Sequence, residues 1–140
     1  MATVRELMHK QRPIQVSATA PYQDAARLMR EQDVGAVIVV EDGKPYGIVT
    51  DRDIAIRGVA EGLNPETAPV GGICSKELAT VSPDADVESA IRLMREKALR
   101  RVMVVDAERV PLGIISLGDL AVERGSSSVL GEISAAPANR

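Results

Sequence analysis

The sequence of this chain is duplicated, and the duplication restricts its fold to architectures built from two similar halves. When residues 16–40 are set against residues 81–105, an offset of 65, the same residue type occurs at 12 of the 25 positions. After one inserted residue the offset becomes 66, and the segment 47–50 (GIVT) meets the segment 113–116 (GIIS). Such self-similarity is typical of a repeated structural unit.

The duplication predicts three regions along the chain. Residues 1–62 form the first repeat and residues 63–124 form the second. The remaining residues, 125–140, are rich in Ser, Ala and Pro. We expect this C-terminal tail to be partly disordered.

Each copy shows the same order of predicted elements: strand, helix, strand, hairpin, strand, helix. Apolar residues at helical spacing follow a short strand, and two β-branched runs separated by a turn come next. Thr19 and Asp84 stand before the two helices and are predicted to cap them. The last helices begin near Asp51 and Leu117. The predicted strands are 14–17, 36–41, 46–50, 79–82, 102–106 and 112–116.

Neither copy alone can bury both faces of a three-stranded sheet. We therefore predict an α+β fold in which the two repeats pack sheet to sheet. The chain contains no Phe and no Trp and only two Tyr residues. Its core must consequently be aliphatic, and Tyr22 is expected to belong to it.

Composition and charge exclude several classes of protein. The 140 residues carry a net charge of −3, which is opposite to the basic surface of nucleic-acid-binding proteins. The longest apolar run, 34–40, is far shorter than the roughly 20 residues of a membrane-spanning helix. The charged N-terminus does not resemble a signal peptide. We expect a cytoplasmic protein that binds neither nucleic acid nor membranes.

Catalytic and metal-binding patterns are not found. The only His is His9 and the only Cys is Cys74, so the chain lacks both a Ser-His-Asp set and the residues of a typical zinc site. It also lacks glycine-rich phosphate-binding fingerprints. We predict that the chain is not an enzyme, that it requires no cofactor or metal, and that Cys74 is a small buried residue.

The motifs resemble the cystathionine β-synthase (CBS) domain, here present as a tandem pair. Each copy contains a helix that ends in Met-Arg-Glu, then a V-x-V-V strand, and then a G-h-h-T/S-x-x-D motif, where h is apolar. The resemblance extends from about Val4 to Val122 and is strongest to small stand-alone bacterial CBS-pair proteins. It implies a pseudo-two-fold module with clefts between the repeats. It also implies a homodimer and the binding of adenine nucleotides or related adenosyl compounds.

The resemblance points to Asp53 and Asp119 as ribose-binding residues and to Thr50 and Ser116 as phosphate-binding residues. A carboxylate can accept hydrogen bonds from both ribose hydroxyls, and a hydroxyl at a helix start can join free backbone N–H groups around a phosphate. The same S/T-x-x-D pattern is also a helix-capping pattern that needs no ligand. The sequence leaves both interpretations open.

Arginines make the two copies unequal. Arg100 and Arg101 precede the second V-x-V-V strand, where the first copy has Gly35-Ala36. Arginine suits bidentate phosphate contact, so we predict that one cleft binds phosphate better. Arg52 is a further candidate. Arg100 and Arg101 could equally be a solvated basic pair, and Arg52 could instead form a surface ion pair with Asp51 or a neighbouring Glu. The predicted adenine walls are Val16, Ala36, Val81 and Val102.

These observations favour a regulatory module that senses an adenine nucleotide (AMP, ADP or ATP) or an adenosyl compound. A protein target would then respond to the occupied state. The alternative is a ligand-free dimerisation or scaffold protein of the same fold, whose exposed aliphatic helix faces would matter more than its clefts.

Overall fold

The computed structural model describes residues 2–8 and 13–119. His9, residues 120–124 and the C-terminal tail lie outside these residues. The chain is divided into two compact units. The first unit comprises residues 13–78, and the second comprises residues 2–8 together with 79–119.

Each unit contains one three-stranded sheet and one long helix, which confirms the predicted α+β class and the predicted order of elements. In the first unit the elements are β1 (Gln15–Ser17), α2 (Tyr22–Gln32), β2 (Ala36–Glu41), β3 (Lys44–Thr50), α3 (Asp51–Asp53), a π-helix (Ile54–Val59) and a 3₁₀ turn (Val70–Gly72). In the second they are α1 (Val4–Met8), β4 (Thr80–Val81), α4 (Val87–Lys97), β5 (Arg101–Val105), β6 (Pro111–Ser116) and helical residues 117–119.

The two sheets have the same topology. In each, the first strand pairs parallel to the second, and the second pairs antiparallel to the third. The β2–β3 hairpin turns at Asp42 and Gly43, whose φ angles are 53° and 76°. Two successive residues with positive φ are typical of a tight type I′ turn, and the Asp-Gly pair favours it. Both hairpins carry an irregularity in register at equivalent positions, after Val39 and after Val104.

An aliphatic core lies between helix and sheet in each unit. In the first unit, Val37, Val39 and Val49 face α2, and Ala25 on that helix is fully buried. Tyr22 is 2% exposed and belongs to the same cluster, as predicted. In the second unit the corresponding core is formed by Val102, Val104 and Ile115 with Ala90, Ile91 and Met94 of α4.

The predicted helix caps at Thr19 and Asp84 are wrong, because both helices begin two or more residues later. The Thr19 hydroxyl pairs with that of Ser17 instead. The first amides of α2 donate to backbone carbonyls, with Tyr22 N–H bonded to Ala68 O at 3.0 Å. The cap of α4 is Asp86, whose carboxylate accepts from Ser89 N–H at 2.8 Å.

The segment that leads into each copy packs in the unit formed mainly by the other copy. In the second unit, Val4 N–H donates to Ala85 O at 2.9 Å. In the first, Val70 N–H donates to Ala20 O at 2.7 Å and Gly71 N–H to Ala18 O at 2.9 Å. The packing units therefore differ from the repeats 1–62 and 63–124, since these leading segments are exchanged.

The segment after β3 is anchored on Tyr22. The Tyr22 hydroxyl donates to Leu63 O at 2.6 Å, and its ring lies against Gly58 in the π-helix. A Cβ atom at Gly58 would stand 2.9 Å from the Tyr22 Cζ atom. Glycine at this position therefore allows the π-helix to approach the aromatic ring.

Candidate functional site

Thr50 and Asp53 cap each other at the end of β3. Thr50 N–H donates to Asp53 Oδ2 at 2.9 Å, and Asp53 N–H donates to Thr50 Oγ1 at 3.1 Å. This reciprocal pair is a capping box. The same arrangement recurs in the second unit, where Ser116 N–H donates to Asp119 Oδ2 at 2.9 Å and Asp119 N–H to Ser116 Oγ at 3.0 Å.

Both S/T-x-x-D pairs thus act as helix caps, which is one of the two interpretations left open by the sequence. The caps do not use every oxygen atom of these side chains. Within the described part of the chain, no hydrogen bond reaches Asp53 Oδ1, although the Asp53 side chain is only 14% exposed. A capped carboxylate can therefore still accept hydrogen bonds through its second oxygen.

The backbone amides that follow Thr50 are already used, which corrects the expectation that free N–H groups hold a phosphate in the first unit. Asp51 N–H donates to Gly35 O at 3.0 Å. Arg52 N–H donates to Asp51 Oδ1 at 2.9 Å, and Asp53 N–H is taken by Thr50. Anion binding at this position would consequently depend on side chains.

Arg57 is the residue that the sequence reasoning missed. Its Nε lies 3.9 Å from Asp53 Oδ1. Its Nη1 donates to Cys74 O at 3.4 Å and to Ile73 O at 3.5 Å. The spacing of four residues between Asp53 and Arg57 is the available sequence signal, because such pairs face each other on a helix.

Cys74 lies beside this group and is buried, as predicted. Burial raises the pKa of the Cys74 thiol, with smaller opposing effects from the nearby Lys76 charge. The Lys76 ammonium stands 5.1 Å from the centre of the Tyr46 ring. Gly47 is needed here because an added Cβ would lie 2.5 Å from Ser75 O.

In the second copy, Arg101 begins the strand that pairs with the Ser116 end of β6, and Arg100 directly precedes that strand. Arg101 is the register partner of Ser116 across the β5–β6 ladder, and Arg100 O accepts from Leu117 N–H at 2.7 Å. In the first unit the matching partner of Thr50 is Ala36. Arg101 is half-buried, whereas Arg100 and Arg52 are exposed.

The predicted adenine-wall residues lie in different surroundings. Val16 and Val102 belong to the core clusters, with exposed fractions of 9% and 0%. Val102 therefore has no open surface in this structure. Ala36 and Val81 are half-buried, and Ala36 is in register with Thr50. Their role as ligand walls stays a prediction.

A separate cavity lies in the second unit, at the end of β5 opposite to Arg101. It has a volume of about 420 Å³. Its charged lining includes Arg5 and Asp84, which form an exposed ion pair at 2.9 Å. Among the described residues, no group of three or more His, Cys, Asp or Glu side chains could hold a metal ion.

Comparison with known proteins identifies the family. The family model named CBS domain matches the chain twice, over residues 4–58 and 70–124. This chain belongs to the CBS-domain family. The two matches confirm the predicted tandem pair, and each match includes one of the capped S/T-x-x-D pairs.

Related CBS proteins match over most of the chain. The CBS domain-containing protein YhcV of Bacillus subtilis is 40% identical over 131 residues, which cover 94% of this chain and 91% of that protein. A solved CBS-domain protein of Burkholderia ambifaria is 29% identical, with a TM-score of 0.77 and coverage of 90% of this chain and 96% of its own.

A CBS domain protein of Pyrobaculum aerophilum, solved in complex with AMP, is 28% identical to this chain. Its TM-score is 0.77, and the match covers 96% of this chain and 100% of that one. In the described part of the present CBS pair, no helix is both long enough and apolar enough to cross a membrane.

Proposed function

We propose that this CBS pair is a regulatory binding module that senses an adenine nucleotide or a related adenosyl compound. The observation that carries the proposal is the hydrogen bonding of the two Asp53 carboxylate oxygens. Its Oδ2 is fixed by the cap, while its Oδ1 accepts no hydrogen bond within the described residues and lies beside Arg57. The AMP complex of the Pyrobaculum aerophilum relative supports this class of ligand.

The geometry suits a ribose without breaking the cap. Each carboxylate oxygen can accept more than one hydrogen bond. Asp53 can therefore accept from both ribose hydroxyls while Oδ2 keeps its bond to Thr50 N–H. The Thr50 hydroxyl accepts from Asp53 N–H and keeps its own O–H free to donate to a phosphate oxygen.

The second unit has an equivalent carboxylate, Asp119, and its nearby cation is Arg101. Asp119 repeats the cap of Asp53, and Arg101 stands opposite Ser116. An arginine guanidinium can contact two phosphate oxygens at once. We assign the ribose to Asp119 and the phosphate to Ser116, Arg101 and Arg100 in this unit.

Regulation requires that the ligand bind two arrangements of the protein with different affinities. A protein target would respond to the favoured arrangement. We propose that the module acts as a homodimer in the cytoplasm, that it is not an enzyme, and that it needs no cofactor besides the ligand it senses.

A thermal-shift screen with AMP, ADP, ATP, NAD, S-adenosylmethionine and cyclic di-AMP tests the proposal. A ligand that binds only the folded state stabilises it by about 2.7 kcal/mol at a hundredfold excess over Kd. That corresponds to a rise in Tm of several degrees for a domain of this size. No shift with any of the six compounds would refute the proposal.

A ligand-free scaffold is the second candidate, and a specific observation favours it. Both S/T-x-x-D pairs form complete caps without any ligand. In addition, Ile56, Val59 and Leu63 are large apolar residues that are 45%, 63% and 41% exposed. A scaffold would show no thermal shift with nucleotides, and Val59→Asp would change its oligomeric state in sedimentation velocity.

A further inference from the structure

We propose that Arg57 makes the Asp53 site select a phosphorylated ligand over the uncharged nucleoside. This inference rests on the proposed function and specifies the ligand class at one of its two motifs. Arg57 lies outside the G-h-h-T/S-x-x-D motif and four residues beyond its carboxylate.

Contacts on two sides hold the Arg57 guanidinium beside Asp53. The Nε atom faces Asp53 Oδ1 at 3.9 Å. The Nη1 atom donates to the carbonyls of Cys74 and Ile73 at 3.4 Å and 3.5 Å. These contacts involve two of the three guanidinium nitrogens, and no hydrogen bond from Nη2 is found within the described part of the chain. The side chain is 56% exposed, and we assign Nη2 as the donor to a ligand.

Arg52 and Lys76 also carry positive charge in this unit, but Arg57 is the cation that forms an ion pair with Asp53. The amides of Asp51, Arg52 and Asp53 are all engaged in hydrogen bonds. Ala36, the register partner of Thr50, carries no charge. A phosphate on a nucleotide whose ribose is bound by Asp53 would therefore meet Arg57 as the cation held closest to that carboxylate.

The arginine occurs at non-equivalent positions in the two copies. In the first copy the register partner of the motif hydroxyl is Ala36, and the residue four positions after the aspartate is Arg57. In the second copy these positions hold Arg101 and, outside the described residues, Glu123. Each motif thus has one of these arginines, supplied by a strand in one copy and by a helix in the other.

The test is isothermal titration calorimetry with AMP and with adenosine in the Asp119→Ala background, which leaves the Asp53 site to be measured. We expect Arg57→Gln to lower AMP affinity about 10-fold or more, as loss of a charge-assisted hydrogen bond does. Adenosine affinity should change less than about twofold, because it has no phosphate. Arg57→Lys, which keeps the charge, should restore part of the AMP affinity.

Lys44→Gln is the matched control, since it removes one positive charge at the opposite end of β3 and should leave both affinities unchanged. Equal losses for AMP and adenosine in Arg57→Gln would show a merely structural role and overturn the inference. Unchanged AMP affinity would overturn it as well. If the Asp119→Ala protein binds neither compound, the proposed function fails at this motif and the role of Arg57 fails with it.

Discussion

Thr50 and Asp53 exchange two hydrogen bonds, at 2.9 Å and 3.1 Å, across the junction between β3 and the helix that follows it. The same carboxylate that completes this cap is the ribose-binding candidate. The two carboxylate oxygens of Asp53 have different partners: Oδ2 accepts the capping hydrogen bond, and Oδ1 faces Arg57. Stability and ligand binding can therefore be tested independently by substitutions that affect only one task.

Removal of the Thr50 hydroxyl should weaken the cap. Thr50→Ala leaves Asp53 N–H without its partner, and we expect the free energy of unfolding to fall by about 1 kcal/mol. Thr50→Ser retains an acceptor and should lie close to the unmodified protein. The midpoints of urea unfolding measure both variants. Equal midpoints for Ala and Ser would contradict the capping role of the hydroxyl.

The contact between Gly58 and Tyr22 predicts that Gly58→Ala is destabilising. A Cβ there would lie 2.9 to 3.2 Å from three atoms of a ring that is 2% exposed and cannot move freely. Overpacking of this kind costs about 1–3 kcal/mol. Gly72→Ala is the control, since no atom lies within 4 Å of an added Cβ at Gly72. Differential scanning calorimetry should show a lower Tm for the first variant only.

Burial of Cys74 predicts a slow reaction with iodoacetamide in the folded protein and a fast one in urea. Because burial raises the pKa of the thiol, the folded state retains its proton to higher pH than the unfolded state. Stability should therefore decrease as pH rises above the ordinary thiol range. Cys74→Ala should remove this alkaline slope. A slope that persists unchanged in the variant would assign it to other groups.

The Asp86 cap of α4 predicts that the free energy of unfolding decreases at acid pH. The Ser89 N–H group lowers the pKa of the Asp86 carboxyl, so the cap of α4 stabilises the fold above the ordinary aspartate value. This stabilisation is lost as pH falls through the lowered pKa. Asp86→Asn keeps an acceptor without a titrating group, and its acid unfolding curve should be flatter. A curve as steep as that of the unmodified protein would refute this.

Much of the fold could be predicted from the duplicated pattern. The run 36–41 is a strand with the predicted bounds, since its β-branched residues leave little alternative. The predicted cap of α2 at Thr19 is wrong because the amides of Tyr22 and Gln23 donate to the carbonyls of Ala68 and Pro65. Those carbonyls are more than 40 residues away in sequence, so no local pattern reports them.

The candidate site could be predicted only in part for the same reason. The pairs Thr50–Asp53 and Ser116–Asp119 are local motifs and are visible in the sequence. The cation beside Asp53 depends on the carbonyls of Ile73 and Cys74, which hold Arg57. Strand register, which the sequence does not state, likewise places Arg101 opposite Ser116.

The most direct test of nucleotide binding is a calorimetric titration of AMP into the unmodified protein, Asp53→Asn, Asp119→Asn and the double variant. Asparagine can still accept the capping hydrogen bond, so folding should be nearly unchanged. Each substitution should lower affinity at its own site about 10- to 150-fold, and the double variant should show no measurable binding. Unchanged AMP affinity in all variants would contradict ribose binding by the two carboxylates and leave them as helix caps alone.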